Sequence, residues 1–491
     1  MTVGMSTWGW DWELGLMVLA LAFTLALAAL AWWAIGGNGN GNYKDYNLPL
    51  PRGATGWPLI GETITFLRAI NNPHNPRKLV DHHERKYGPV FRSNLFGSSK
   101  TVVTVDPEFS KYVLQNEGRL FHTKYPLSMR TIIGKFSILA VRGELQRKLH
   151  GTVNKFLSAE MLSSESIGYI QNIFDLGMRK WEGHNRELHL QEEIHKVVLN
   201  LMAKKLLDLN PEYDMKEIDK LRVLDDLAGA IVTIPINIPG SPFAKGIKAR
   251  KTLHKKINEC IKERKEHPEV VRSDLLTHLL KEAAFPEEVI AELIMSLFFA
   301  SYETSSKALT FAVKFLTDSP RALNEMRAEH DALVRLRGNG KLTWDDYASM
   351  NFTHCVIKET LRLGNVAPAV FRETAQDIKT KDFVIPKGWA VLVLLNSTHL
   401  DEKNYPEALT FNPWRWQHEP PLELSKDPWF LCFGGGARFC PGYQFAKLEM
   451  ALFLHCFITK FRWEAVEEDH LHYFPYTYMV KGLPLRLSPL Q

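Results

Sequence analysis

Hydrophobic and polar positions along this chain fall into distinct regimes. From Leu14 to Ile35 runs an apolar stretch of 22 residues without a charge. At about 1.5 Å per residue, a helix there would be about 33 Å long, enough to span the hydrocarbon of a bilayer. Residues 36–42 are then polar and glycine-rich, followed by Leu48-Pro49-Leu50-Pro51-Arg52-Gly53 and Gly56-Trp57-Pro58. Proline fixes φ and pushes the residue before it out of helix, so this stretch reads as a flexible linker ending in a stiff hinge. Beyond residue 58, apolar positions recur at helical spacing over most of the chain. The exceptions, Thr101 to Val105 and Trp389 to Leu395, predict short strands, the second bounded by Pro386-Lys387-Gly388. The expectation is a mainly α chain with a small β region, preceded by one N-terminal transmembrane helix. Its parts are residues 1–13, an anchor over 14–35, a linker and hinge over 36–58, and one large body over 59–491.

Flanking residues orient the anchor. Trp8, Trp10 and Trp12 precede it and Trp32 and Trp33 lie near its end, as interfacial belts require; no Lys or Arg precedes it, whereas Lys44 and Arg52 follow. Residues 1–13 are therefore expected on the lumenal side and the body in the cytosol. The net charge of +5 over 491 residues implies no nucleic-acid partner. Five cysteines, at 260, 355, 432, 440 and 456, show no paired spacing, which indicates a reducing compartment.

Three segments carry chemistry. The first is Phe433-Gly434-Gly435-Gly436-Ala437-Arg438-Phe439-Cys440-Pro441-Gly442, just before a helical pattern running from Tyr443 to Phe457. A lone cysteine is more often a small buried hydrophobe than a ligand. Here glycines, a helix N-terminus and Arg438 suggest a thiol of lowered pKa suited to a metal. The second is Phe298-Phe299-Ala300-Ser301-Tyr302-Glu303-Thr304-Ser305-Ser306, midway along a pattern opened by Pro286, Glu287 and Glu288 and reaching Leu316. Ala300 and Thr304 share a face, and an acid inside an apolar helix needs a partner or a task. The third is Glu359-Thr360-Leu361-Arg362, whose charges share a helix face, with Arg415 following in Pro413-Trp414-Arg415.

Together, in their order along the chain, these segments resemble the motifs of the cytochrome P-450 family. The resemblance implies the P-450 fold, haem b as cofactor and Cys440 as its axial thiolate, a ligand that favours O–O cleavage. It further implies Phe433 beside the sulfur, Arg438, Arg372 and His150 on haem propionates, and Glu303 and Thr304 as a proton-relay pair. Glu359, Arg362 and Arg415 would be structural, and Phe298, Phe299 and Ala300 would line the substrate pocket. Departures are Ser301 for the usual glycine, Tyr302 for a histidine, and Gln146 and His150 where Trp and Arg are common. Pro49 to Gly53, Gly61-Glu62-Thr63, Ser301 to Ser306 and Asn412 to Trp416 are most similar to the plant branch of steroid, brassinosteroid and terpenoid hydroxylases. That branch implies a monooxygenase on the endoplasmic reticulum membrane. It would hydroxylate a lipophilic steroid, sterol or terpenoid with dioxygen and electrons from an NADPH-dependent flavoprotein reductase. A proline-broken apolar loop, Ile234 to Phe243, and the basic helix after it (Lys248, Arg250, Lys251, Lys255, Lys256) suit a membrane edge. Two alternatives stay open: a haem-thiolate isomerase or dehydratase of an oxygenated lipid, and a non-catalytic membrane haem-binding protein.

Overall fold

The computed structural model describes Thr24 and residues 48–490, apart from 55, 58–59, 97–99, 163, 184–185, 211–213, 215–219, 283–284, 339, 425–426 and 475. The expected anchor over 14–35 and most of the linker lie outside the described residues. Among the described residues no helix is long and apolar enough to cross a membrane.

Helices dominate, as the periodicity predicts. The seven that matter for the site are α1 (Gly143–Leu162), α2 (Leu190–Leu207), α3 (Lys220–Ile231), α4 (Pro242–Glu266), α5 (Glu287–Asp318), α6 (Asn351–Gly364) and α7 (Tyr443–Lys460). Pro286 precedes α5 in extended conformation (φ −60°, ψ 148°), and Glu287 and Glu288 offset the partial positive charge of its first turn. With 32 residues, α5 is about 48 Å long. It is buried on nearly every side from Val289 to Phe298 and again from Ser305 to Val313, because α2, α4, α6 and α7 all pack against it. A helix covered all round carries no single apolar stripe, which is why its sequence is so uniformly apolar.

The β region is mainly one six-stranded sheet. Its strands are β1 (Gly53–Ala54), β2 (Val90–Ser93), β3 (Thr101–Thr104), β4 (Phe121–Thr123), β5 (Ala369–Thr374) and β6 (Ala390–Leu394), in the order β1-β2-β3-β6-β5-β4. The two strands expected from sequence, β3 and β6, are parallel neighbours, with Thr101 opposite Ala390 and Thr104 opposite Val393. Both are almost wholly buried, β6 as an unbroken apolar run and β3 as two valines between two threonines.

Behind the sheet, α6 is locked to the segment that follows it. Glu359 and Arg362 have no solvent exposure. The Arg362 guanidinium donates to both Glu359 oxygens at 2.9 and 2.8 Å and, from Nη1, to the carbonyls of His399 and Ala408. Arg415 Nε, Trp416 Nε1 and the Asn412 amide also donate to Glu359, at 3.1, 2.8 and 3.0 Å. A buried ion pair is tolerable only when its remaining donors and acceptors are met, and here they are. Glu359→Ala strands the Arg362 charge in the core. It is expected to cost about 3–5 kcal/mol, read as a collapse in the yield and melting temperature of folded protein, while Arg415→Ala, nearer the surface, should cost less.

Candidate active site

The loop around Cys440 is shaped by glycine. Gly434 and Gly436 have φ of 74° and 65°. A Cβ on Gly436 would lie 2.1 Å from the Leu114 carbonyl oxygen, so no side chain fits there. The Cys440 amide donates to the Phe433 carbonyl at 3.0 Å, closing the loop just before α7 begins. Phe433, Phe439 and Tyr443 meet edge to face around it, with centroids 4.9–6.4 Å apart. The thiol is half-buried, and burial pushes its pKa up to about 11, against a pull from the Gly442 amide.

Arg438 does not act on the thiol as its place in the sequence suggests. Its Nε donates to Glu117 at 2.8 Å, and its other nitrogens go to the carbonyls of Ile138, Leu139 and Val141. Arg372, on β5, reaches the same carboxylate. Its Nε lies 2.7 Å from Glu117 Oε2 but out of line for a hydrogen bond, and both atoms are buried without a hydrogen-bond partner. Two guanidinium groups thus face one buried carboxylate, an excess of positive charge suited to a further anion. His150 is also committed to the protein. Asn154 donates to its Nδ1 at 3.2 Å, which leaves Nε2–H to donate to the Phe439 carbonyl at 2.7 Å. With Gln146 donating to the Ala437 carbonyl at 2.7 Å, α1 clamps the loop through two backbone oxygens. In this structure the His150 ring serves this clamp, where a propionate contact was expected.

On α5 the expected relay residues part company. Thr304 is exposed although its neighbours on either side are buried, and Phe299, Ala300 and Ser301 are partly exposed beside it. Exposure of these side chains midway along so buried a helix implies an opening beside them. Phe298 is fully buried instead: 200° of helical rotation separates it from Ala300, so it packs into the core and does not line the opening. Thr304 Oγ1 donates to the Ala300 carbonyl at 2.7 Å, and Ser301 Oγ to Leu297 at 2.7 Å. Glu303 is buried and forms an ion pair with Lys307, one turn on. Ser305 ties α5 to α7 by donating to Glu449 at 2.7 Å; burial pushes that acid's pKa up to about 7. Glu117, Lys307 and Asn154 were missed by sequence reasoning. Lys307 and Asn154 each stand four residues after their partners on a helix, a spacing that could have flagged them; Glu117 has no such signal.

The sequence profile of the family Cytochrome P450 matches residues 51–484. The chain is a cytochrome P450. Its relatives include Cytochrome P450 720B2 of Pinus taeda, 56% identical over 89% of this chain and 90% of that one. Abietadienol/abietadienal oxidase of Pinus taeda is 52% identical over 91% and 92%. Steroid (22S)-hydroxylase of Oryza sativa subsp. japonica is 39% identical over 93% and 90%. Among solved structures, retinoic acid-bound cyanobacterial CYP120A1 superposes with a TM-score of 0.77 at 25% identity, covering 91% of this P450 and all of that chain. The P450 is therefore a haem-dependent monooxygenase, its haem held by a cysteine thiolate. The residues present fit that group. A thiol loses its proton when it binds a metal, and the surplus arginine charge suits carboxylate groups.

Glu117→Leu leaves both guanidinium groups without their carboxylate. The P450 is expected to lose about 3–5 kcal/mol of stability, read by thermal unfolding, and Glu117→Gln should restore only part of it.

Proposed function

We propose that this P450 is a membrane-anchored oxidase of a diterpenoid alcohol or aldehyde, with Cys440 as the axial thiolate and Glu303 and Thr304 supplying protons. The observation that carries the chemistry is the exposure of Thr304 midway along α5, next to the partly exposed Phe299, Ala300 and Ser301 and between long buried stretches, beside the helix that begins just after Cys440. When bound, haem supplies reductive activation of dioxygen, and one hydroxylation consumes two electrons and two protons and releases water. Arg372 and Arg438 would hold its carboxylates, and Phe433 would pack beside the sulfur. The Thr304 hydroxyl can let go of the Ala300 carbonyl and turn to the opening, where it delivers a proton. Glu303, one residue away and shielded from bulk water, replaces that proton. Phe299 and Ala300 give the opening an apolar wall, which suits a ligand that buries hydrocarbon and needs few polar anchors.

Identity supports the diterpenoid class over the steroid class. The relative named for abietadienol and abietadienal is 52% identical, against 39% for the steroid hydroxylase. The anchor over 14–35 and exposed apolar side chains support the membrane assignment: Trp57, Ile60, Ile64, Ile234, Ile236 and Ile238 are each at least half exposed or nearly so. Arg250, counted above with the basic face of α4, belongs elsewhere, since it pairs with the buried Glu292. With no flavin or nicotinamide motif in the chain, electrons would come from an NADPH-dependent flavoprotein reductase of the endoplasmic reticulum, with the body in the cytosol.

Two tests address ligand and substrate. The reduced carbon-monoxide adduct of the P450 should show the long-wavelength Soret band of a thiolate complex; Cys440→Ser should abolish it and Cys432→Ser should keep it, and the reverse pattern would move the ligand. Microsomes holding the P450 and a reductase should convert abietadienol and abietadienal to the acid, with a shift of the haem spectrum to high spin on binding. Turnover of sterols alone would replace the diterpenoid reading with the steroid one.

A further inference from the structure

Beside the opening, α5 buries a lysine. Lys307 is 3% exposed, yet its ammonium makes a salt bridge to Glu303, itself 7% exposed. The ammonium also lies 3.7 Å from the centroid of the Tyr476 ring, which comes from the C-terminal segment. Burial pushes the Lys307 pKa down, and Glu303 and Asp225 pull it back up. An ammonium in such a place is costly unless an anion stands against it.

Other groups converge on the same pair. From α2, His195 stacks on Tyr302 at 4.6 Å and 19°, its pKa held down to about 4 by burial, so it is neutral near pH 7. Glu192, also on α2, adds negative charge at longer range. From α3, Asp225 keeps solvent access, while the Tyr302 hydroxyl lies 3.5 Å from it. Crowding by neighbouring atoms and the charge of Glu303 push the Asp225 pKa up to about 6. The Tyr476 hydroxyl lies 3.5 Å from the Ala228 carbonyl, also on α3. One cation thus pairs with the carboxylate of α5, feels the charge of the carboxylate on α3, and lies under an aromatic ring. Nothing in the proton role given to Glu303 requires such a lysine.

We propose that Lys307 is a positioning residue for proton supply, holding the Glu303 carboxylate along the axis of α5 with Tyr476 as its lid and Asp225 as the solvent-side acid. The proposal rests on the assignment of Glu303 as proton donor. The geometry gives it a definite sense. Glu303 accepts a proton arriving from the side of Asp225, the negative charge that held it to Lys307 is neutralised, and the carboxylic acid is free to turn towards Thr304. After giving up that proton it is a carboxylate again and returns to Lys307. The lysine keeps its own proton throughout, so it acts through Glu303 and touches no reacting atom.

The test compares Lys307→Met, Lys307→Arg, Glu303→Gln and the double variant Glu303→Gln/Lys307→Met as purified holoprotein. The turnover probe is whichever compound of the diterpenoid and sterol panel the wild type converts fastest. Lys307→Met should lower product per NADPH consumed by about tenfold or more, the lost electrons appearing as peroxide, within the range of general acid effects. Lys307→Arg should recover most of the yield. In thermal unfolding of the substrate-free protein, Lys307→Met should be destabilised and the double variant should regain part of the loss, because the unpaired carboxylate is gone. Unchanged product per NADPH in Lys307→Met, with Glu303→Gln impaired, overturns the positioning role and leaves Glu303 as donor. Unchanged yield in Glu303→Gln overturns the donor assignment and the proposal with it. Should Lys307→Met fail to fold, a double variant that also fails to fold overturns the proposal, since Lys307 would then not exist to balance Glu303.

Discussion

Everything near Cys440 depends on how a carboxylate is kept in the core behind it. Glu359 is sealed from water, and a charge so placed survives only if every lone pair is used. Arg362, Arg415, Trp416 and the Asn412 amide use them, and in doing so they draw the 408–416 segment onto α6. His399 is part of the same arrangement: its carbonyl accepts from Arg362, while its ring nitrogen accepts from the Leu431 amide at 2.8 Å. Through that one histidine the lock on α6 reaches the start of the loop that carries the thiol. Burial holds the His399 pKa near 3, so the ring stays an acceptor across the physiological range.

The same economy operates in front of the loop. Glu117 joins β5, through Arg372, to the loop, through Arg438, and α1 closes the other side with Gln146 and His150 on backbone oxygens. The loop is held by its carbonyls and by one arginine, and among the described residues the Gly442 amide is the thiol's partner.

Much of the architecture was legible because it follows from local rules. Pro286 with two acids starts α5, runs rich in Val, Leu and Thr give β3 and β6, and glycines mark the loop before α7. Glu359 and Arg362 were readable as a pair from their spacing. What escaped was the partner of each polar group across the fold. Arg438 was expected to act on a thiol two residues away and instead reaches Glu117, more than 300 residues back along the chain; His150 was expected to face a carboxylate and instead donates to a carbonyl. Sequence offers a donor's position but not which of several acceptors the packing brings within 3 Å. Phe298 failed for a different reason, since an all-round buried helix gives no periodicity from which to tell the face towards the opening from the face towards the core.

That last point bears on how α5 can be both core and site. A helix buried on all sides can open a site only where side chains are small or where polar groups are closed on themselves. Ala300, Ser301 and Thr304 meet the first condition, and both hydroxyls are turned back onto carbonyls of the preceding turn. Glu303 and Lys307 meet the second, each cancelling a charge the other could not carry alone. Hydroxyls bonded to the i−4 carbonyl compete with the helix's own ladder and tend to bend it. The polar functions of α5 are therefore stored in forms that cost little in the resting fold, and each can be released by breaking one local contact without disturbing the packing against α6 and α7.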